Sequence, residues 1–252
     1  MKSLAAADRH RRILDLLARD RRMPVKELIV ALGASPATVR RDLGELVELG
    51  KLRRVHGGVL LAGEEIEEPG MDIRRAEALP EKRRIAVEAA MAVPGQGSVF
   101  LDAGTTCLEV AAVLIQRPGL TIYTNSASLL PLAATARARL VILGGECRPA
   151  TLALVGAVTL DWLARLKFHA AILGATGVDA QEGVFTTEPG EAAVKSLAIR
   201  RARRSILVAD SRKAEMHASV RFAQWNELTS WITDRGLPAR RVGAFPVRVV
   251  RV

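Results

Sequence analysis

Apolar residues recur at helical spacing three times within the first fifty positions. Ile13, Leu14, Leu16 and Leu17 form one stripe and predict a helix over about 6–19. Val25, Leu28, Ile29 and Leu32 share a face of a second helix, which starts after Pro24 and stops where Gly33 stands as a C′ residue. A third opens on Ser35-Pro36, an N-cap followed by proline at the first helical position. Its Val39, Leu43, Leu46 and Val47 face inward; Ala37, Thr38 and Arg41 face outward with Arg40 on the flank, and Gly50 ends it. Leu52-Arg53-Arg54-Val55-His56-Gly57-Gly58-Val59-Leu60 then reads as strand, glycine turn, strand.

The pattern changes after position 73. A helix over about 74–92 is followed by Pro94-Gly95 and then by continuous apolar runs at 98–101, 120–123, 140–143, 170–173 and 205–208. Helical stretches such as 106–116 and 188–203 separate most of them. Uninterrupted apolar strands between helices predict a parallel sheet covered on both faces. Residues 231–233 and 247–250 add strands at or near an edge. Gly63 to Gly70 is an acidic stretch closed by Pro69 and Gly70, and reads as a linker. The expected organisation is α/β: a winged helix-turn-helix domain over 1–60, a linker over 61–72, and a parallel-sheet α/β domain over 73–252.

Charge sharpens this division. The 252 residues carry a net +10, of which +6 falls in the first sixty. Such a balance suggests a polyanionic partner, nucleic acid or a phosphorylated ligand. Helix, tight connection, helix with arginines near its N-terminal half, then a basic wing, is the layout of a duplex-DNA reader. Two cysteines, Cys107 and Cys147, exclude a disulfide framework and a four-cysteine zinc site. No apolar run approaches the roughly 20 residues that cross a bilayer. The first residues lead into Asp8 and Arg9, not into a signal-peptide stretch, so a cytoplasmic protein without a membrane partner is expected.

Ser35-x-x-Thr38-x-Arg40-Arg41-Asp42-Leu43, followed by Arg54-Val55-His56-Gly57-Gly58, resembles the winged helix of the DeoR family of bacterial transcriptional regulators. The resemblance implies that the third helix enters the major groove. Ser35, Thr38, Arg40 and Arg41 then face DNA, joined by Arg53, Arg54 and His56 of the wing. Asp42 is assigned to an internal ion pair, because phosphates repel a carboxylate.

The ends of the apolar strands carry the second set of candidates. They read Asp102-Ala103-Gly104-Thr105-Thr106, Thr124-Asn125-Ser126, Gly144-Gly145, Gly174-Ala175-Thr176-Gly177 and Asp210-Ser211-Arg212-Lys213. Open α/β sheets bind ligands outside these carboxyl ends. Glycines let backbone N–H groups approach an anion, hydroxyls donate, and a helix N-terminus adds its dipole. Alone, each motif is consistent with a turn or a cap; their recurrence at five strand ends favours a shared anion site. The same motifs, with Ile232-Thr233-Asp234, resemble the effector domain of that family, related to pentose-phosphate isomerases and glucosamine-phosphate deaminases. The resemblance implies a phosphorylated sugar, or a similar metabolite, as effector. It places Gly104, Thr105 and Thr106 on the phosphate, and Asp102, Asn125 and Lys213 toward the sugar or its phosphate. Thr124, Ser126, Gly144, Gly145, Gly174, Gly177 and Asp210 complete the expected site. Two positions depart from the family: Arg212 stands where a second serine is common, and Cys107 where a further hydroxyl is common.

An isomerase needs a carboxylate base and an acid at the reacting carbons. The related isomerases carry acids at the fourth strand end, where this chain has none before Asp179. Catalysis is therefore not expected, and an isomerase-like enzyme with an attached nucleic-acid domain is the alternative. No metal or cofactor is expected: His10, His56, His169 and His217 lack ligand spacing. Lys195 is assigned to the surface of a helix, and Trp162, Trp225 and Trp231 to the core. One small winged helix makes few base contacts, so a homodimer or homotetramer on a symmetric operator is expected.

Overall fold

The computed structural model describes residues 5–20, 22–55, 58–61, 70–216 and 218–252. Its contacts divide the chain into two units, Met1–Glu67 and Glu68–Val252. The acidic stretch at 62–69, with His56, Gly57 and His217, lies outside the described residues.

In the first unit, α1 (Ala6–Asp20), α2 (Val25–Leu32) and α3 (Pro36–Glu48) close on Ile13, Leu17, Leu28, Leu32, Val39, Leu43 and Leu46. These are inward positions of the 3.6-residue period, and each fully buried aliphatic side chain contributes roughly 1.5–3 kcal/mol. Gly33 ends α2 at φ 58°, its N–H donating to the Val30 carbonyl. Ser35 caps α3: its Oγ accepts the Thr38 N–H at 3.2 Å. Arg9 of α1 donates from Nε and Nη2 to both oxygens of Asp42, at 2.7 and 2.9 Å. Asp42 is 2% exposed, so the internal ion pair expected of it is present. The strands β1 (Arg22–Met23), β2 (Leu52–Val55) and β3 (Gly58–Leu61) form an antiparallel sheet in the order β1-β3-β2. β1 left no mark in the sequence, since two residues cannot show alternation.

The second unit opens with α4 (Met71–Ala76) and α5 (Leu79–Met91), where a single helix over 74–92 was expected. The chain breaks at Ala78, which adopts φ 49°. The reason is Pro80: without an N–H it cannot continue a helix, but it fits the first turn of a new one. Seven strands then build the main sheet: β4 (Gly97–Leu101), β5 (Leu120–Thr124), β6 (Arg139–Ile142), β9 (Ala170–Leu173), β12 (Ser205–Val208), β14 (Ser230–Thr233) and β15 (Val249–Arg251). Their order is β15-β14-β12-β9-β4-β5-β6 and every pairing is parallel. Two smaller antiparallel sheets lie outside it. One pairs β7 (Glu146–Cys147) with β8 (Leu154–Val155); the other joins β10 (Gly177–Asp179), β11 (Gly183–Thr186) and β13 (Val220–Ala223).

Both faces of the main sheet are covered. Ile85 and Ala89 of α5, with Val110 and Leu114 of α6 (Thr105–Leu114), pack with Val99, Leu101, Ile122 and Ile172. On the opposite face, Leu163 of α7 (Ala157–Arg165) and Val194 and Ala198 of α8 (Pro189–Arg201) join Phe100, Ala171, Leu173 and Leu207. Hence the strands read as unbroken apolar runs. A short α9 (Ala239–Val242) precedes β15. Trp225 and Trp231 are core residues, stacked edge-on against Phe245 at 5.5 and 4.9 Å. Trp162 is not: it is 56% exposed. Thr159 and Leu163 form the buried side of α7, and Trp162 points away from it with Arg165 over its ring at 5.9 Å.

Candidate functional site

From β4 the chain steps to β5 and β6 on one side; from β9 it steps to β12, β14 and β15 on the other. The reversal falls between β4 and β9, and a crevice at such a switch point is where open α/β sheets hold ligands. The loops leaving these two strands meet there. Asp102 Oδ2 accepts the Gly174 N–H at 3.0 Å, and Lys195 donates to both Asp102 and the Gly174 carbonyl, the latter at 3.2 Å. Lys195 is thus 4% exposed on the inner side of α8 and is not the surface residue expected. Helical position alone placed it near solvent; a carboxylate from a strand 93 residues away holds it inside. Burial works against its charge, but Asp102 and Glu191 outweigh burial and hold its pKa above the ordinary lysine value.

Gly104 precedes α6 at φ 120°, a backbone region open essentially to glycine alone. It presents the start of α6, Thr105 and Thr106, to a cavity of about 50 Å³. The volume is several times the roughly 10–15 Å³ that admits one water. The first N–H groups of a helix have no partner within it, so this end of α6 favours an anion. Of the expected effector residues, the cavity brings together Gly104, Thr105, Thr106, Gly174 and Lys213. Arg74, Glu77, Lys82, Thr151, Thr176, Thr186, Glu191, Lys195 and Arg212 also line it, and none of these was among the expected contacts.

The other expected residues stand outside the lining. Asn125 braces the β4 loop: its Oδ1 accepts the Ala103 N–H and its Nδ2 donates to the Leu154 carbonyl, both at 3.2 Å. Thr124 accepts the Ser126 N–H at 3.0 Å, and Ser126 bonds Ser128. The Gly144 carbonyl accepts from Thr159 at 2.6 Å. A Cβ on Gly145 would stand 2.1 Å from Thr159 Oγ1, and one on Gly177 2.3 Å from the Met216 carbonyl oxygen. Asp102 and Asp210 act from behind the wall, through Lys195 and Arg212.

Two groups of charges face the cavity. In one, Glu191 accepts from Thr151 at 2.6 Å and from Thr186 at 3.4 Å and pairs with Arg148. Burial raises its pKa, yet Lys195, Thr151 and Arg148 together hold it below the usual range. With Lys195 and Asp102, this group is neutral. The other is cationic. Arg212 grips Asp210 through two bonds at 2.7 and 3.2 Å and meets Glu77 at 3.5 Å. Lys82, 2% exposed, donates to the Arg74 carbonyl. Burial, reinforced by Lys213 and Arg212, pulls Lys82 down to about 8 against the pull of Asp210 and Glu77. Burial likewise lowers Lys213, whose Nζ donates to Met216 Sδ at 3.4 Å. The sequence signal for Lys82 and Arg74 was their charge on a helix preceding the sheet, which looks the same as solvated surface.

In the first unit, Ser35, Arg40 and Arg41 are exposed on α3 and Thr38 is half-buried. The Ser35 and Thr38 hydroxyls bond each other at 2.8 Å. Arg53 and Arg54 lie on β2. Among the described residues one group has metal-ligand proximity, His10, Asp42 and Glu45, but Arg9 already occupies both oxygens of Asp42. Cys107 is buried and Cys147 exposed.

Residues 9–65 match a family model described as the DeoR-like helix-turn-helix domain, and residues 77–235 match one described as the DeoR C terminal sensor domain. The chain is 31% identical over 231 residues to the glycerol-3-phosphate regulon repressor of Escherichia coli (strain K12), covering 91% of each chain. It is 34% identical over 233 residues to the HTH-type transcriptional regulator GlpR of Haloferax volcanii, covering 92% of this chain and 91% of the relative. A lactose phosphotransferase system repressor of Streptococcus mutans is 32% identical over 231 residues, covering 90% and 91%. A solved D-ribose-5-phosphate isomerase in complex with phospho-erythronic acid aligns at TM-score 0.39 and 17% identity, over 52% of each chain.

Proposed function

The chain belongs to the DeoR family of transcriptional regulators, and on that premise we propose that it represses a sugar-catabolism operon and is released by a phosphorylated sugar. The winged helix of residues 1–60 binds operator DNA through Ser35, Thr38, Arg40, Arg41, Arg53, Arg54 and His56. Residues 61–72 link it to a sensor over 73–252. One observation carries this reading: a cavity at the sheet's switch point, lined by the start of α6 and by Lys82, Arg212 and Lys213, on the same chain as a helix with exposed arginines. The phosphate sits against Gly104, Thr105, Thr106 and these cations. The sugar hydroxyls face Lys195, Glu191, Thr151 and Thr186, a group that Asp102 and Arg148 make neutral from behind the wall.

The sensor binds and does not catalyse. Asp102 is tied to Lys195 and Gly174, and Glu191 to Arg148 and Thr151, so neither carboxylate is poised to take a carbon-bound proton. None of the described helices is long and apolar enough to cross a membrane. The working form is a cytoplasmic homo-oligomer on a symmetric operator.

The test uses a duplex selected on the full chain from a random-sequence pool. Phosphorylated sugars, titrated one at a time, lower its affinity for the wild type, and Thr105→Ala with Thr106→Ala removes that response while leaving duplex binding intact. A panel of phosphosugars that neither raises the melting temperature nor shifts duplex affinity defeats the reading.

A further inference from the structure

α4 buries none of its residues. An element of six residues without an apolar anchor stays on the sensor through polar contacts, and most of them converge on the cavity. Lys82 donates to the Arg74 carbonyl, and Arg74 Nη2 donates to the Ala150 carbonyl at 3.2 Å. At the C-terminal end of α4, Glu77 Oε2 lies 3.5 Å from Arg212 Nη1. Arg75 meets Glu109 of α6 at 3.7 Å. Arg74, Glu77, Lys82 and Arg212 all line the cavity.

Arg212 therefore serves two carboxylates of different character. Asp210 is 1% exposed and holds the guanidinium through a bidentate grip. Glu77 is more than a third exposed and makes one long contact. A phosphate entering the cavity needs the guanidinium edge that Glu77 occupies, and it repels the Glu77 carboxylate. Asp210 is fixed in the wall, so Glu77 is the group that yields.

Resting on the function proposed above, we infer that Glu77 is an internal competitor for the effector's anionic group: its carboxylate seats α4 on Arg212 until a phosphate takes that place. α4 begins at Met71, the first helix along the chain after the winged-helix unit. Displacing Glu77 thus loosens the anchor of the segment leading from the DNA-binding unit. The competitor also sets a threshold. A bare anion must overcome Glu77 unaided, whereas a phosphosugar adds contacts to Lys195, Thr151 and Thr186.

The experiment compares wild type and Glu77→Gln full-length protein, with inorganic phosphate as probe. Exposed ion pairs of this kind contribute a fraction of a kcal/mol, so Glu77→Gln binds phosphate roughly two- to fivefold more tightly in calorimetry. By reciprocity, its phosphate-free affinity for the selected duplex falls, and phosphate lowers it by a smaller factor than in wild type. On an Arg212→Gln background the substitution gains nothing. Equal phosphate affinity in the two proteins overturns the inference. So does a gain that persists on the Arg212→Gln background, or one that leaves duplex binding and its phosphate response unaltered, since either marks a plain loss of negative charge. If phosphosugars leave wild-type melting temperature and duplex affinity unchanged, the functional reading falls as well; if they bind but inorganic phosphate binds neither protein at millimolar concentration, the inference alone fails. If phosphate binds wild type and Glu77→Gln equally, and Thr105→Ala with Thr106→Ala weakens it, the inference alone fails.

Discussion

The two units handle charge in opposite ways. The winged-helix unit has an apolar interior and keeps Arg40 and Arg41 outside; among its described residues the one deeply buried carboxylate, Asp42, is fully engaged by Arg9. The sensor brings its charges inward: Asp102, Lys195, Glu191, Lys82 and Asp210 are all buried or nearly so around one cavity. A surface that grips DNA works in high dielectric, where many weak contacts add and salt competes. A cavity that reads a small anion works in low dielectric, where each charge must be matched before the ligand arrives. Binding residues of the first kind are therefore separable from folding, and those of the second kind are not.

The largest expected effect tests that statement at Lys195. Lys195→Met leaves Asp102 buried without its cation, and breaking such a pair costs about 3–5 kcal/mol. Urea unfolding should show a loss of that size. The double variant Lys195→Met with Asp102→Asn should recover most of it, because the amide oxygen still accepts the Gly174 N–H. A single variant as stable as wild type would mean that the pair is not the keystone of the switch-point crevice.

Next in size is Arg41→Ala. Losing one specific contact to DNA costs roughly 1–3 kcal/mol, about ten- to hundredfold in affinity for the selected duplex. Its unfolding free energy should stay within about 0.5 kcal/mol of wild type, as for an ordinary surface position. A comparable loss of stability would erase the contrast between the two units.

The same contrast explains what the sequence revealed. The helical stripe that names Val39 and Leu43 as core also names Arg41 as outside and Arg40 as its flank, so the exposed cationic face proposed to meet DNA was readable from one segment. Gly104, Thr105 and Thr106 were readable too, because a strand-to-helix junction is local. Lys195, Lys82 and Arg74 were not: their roles depend on partners at Asp102, on the neighbouring α4, and on the β6–β8 region. Trp162 fails for the same reason, since hydrophobicity does not say which side of α7 will be covered. Asn125, Gly145 and Gly177 were legible as unusual residues, but the structure uses them to brace loops and permit close approach.

A smaller effect comes from Lys82, whose pKa is drawn down to about 8 from an ordinary 10.5. The folded protein pays to keep it charged below pH 8, and that cost fades as the pH rises toward 10.5, where the unfolded chain also loses the proton. Stability from this group thus increases with pH over that window. Anion binding runs the other way, because it needs the charged amine. Phosphate affinity should fall about threefold between pH 7.5 and 8.5, and Lys82→Gln should flatten this step. Lys213, lowered in the same direction, and Arg212, Asp210 and Glu77 face the same space, so a step that survives in Lys82→Gln would reassign it to Lys213.

The smallest expected effect concerns the two thiols. Burial, with Asp102 beside it, pushes Cys107 well above its ordinary pKa, so it stays a neutral thiol within the apolar side of α6. Cys147 is exposed on β7. Reactivity follows thiolate character and access. A thiol reagent should label Cys147 in the native protein quickly and Cys107 only as fast as the sensor opens, while both react in denaturant. Mild peroxide should accordingly leave duplex affinity of Cys147→Ser unchanged. Rapid native labelling of Cys107 would place it in contact with solvent, and would show that the sensor's inner wall is less closed than its paired charges require.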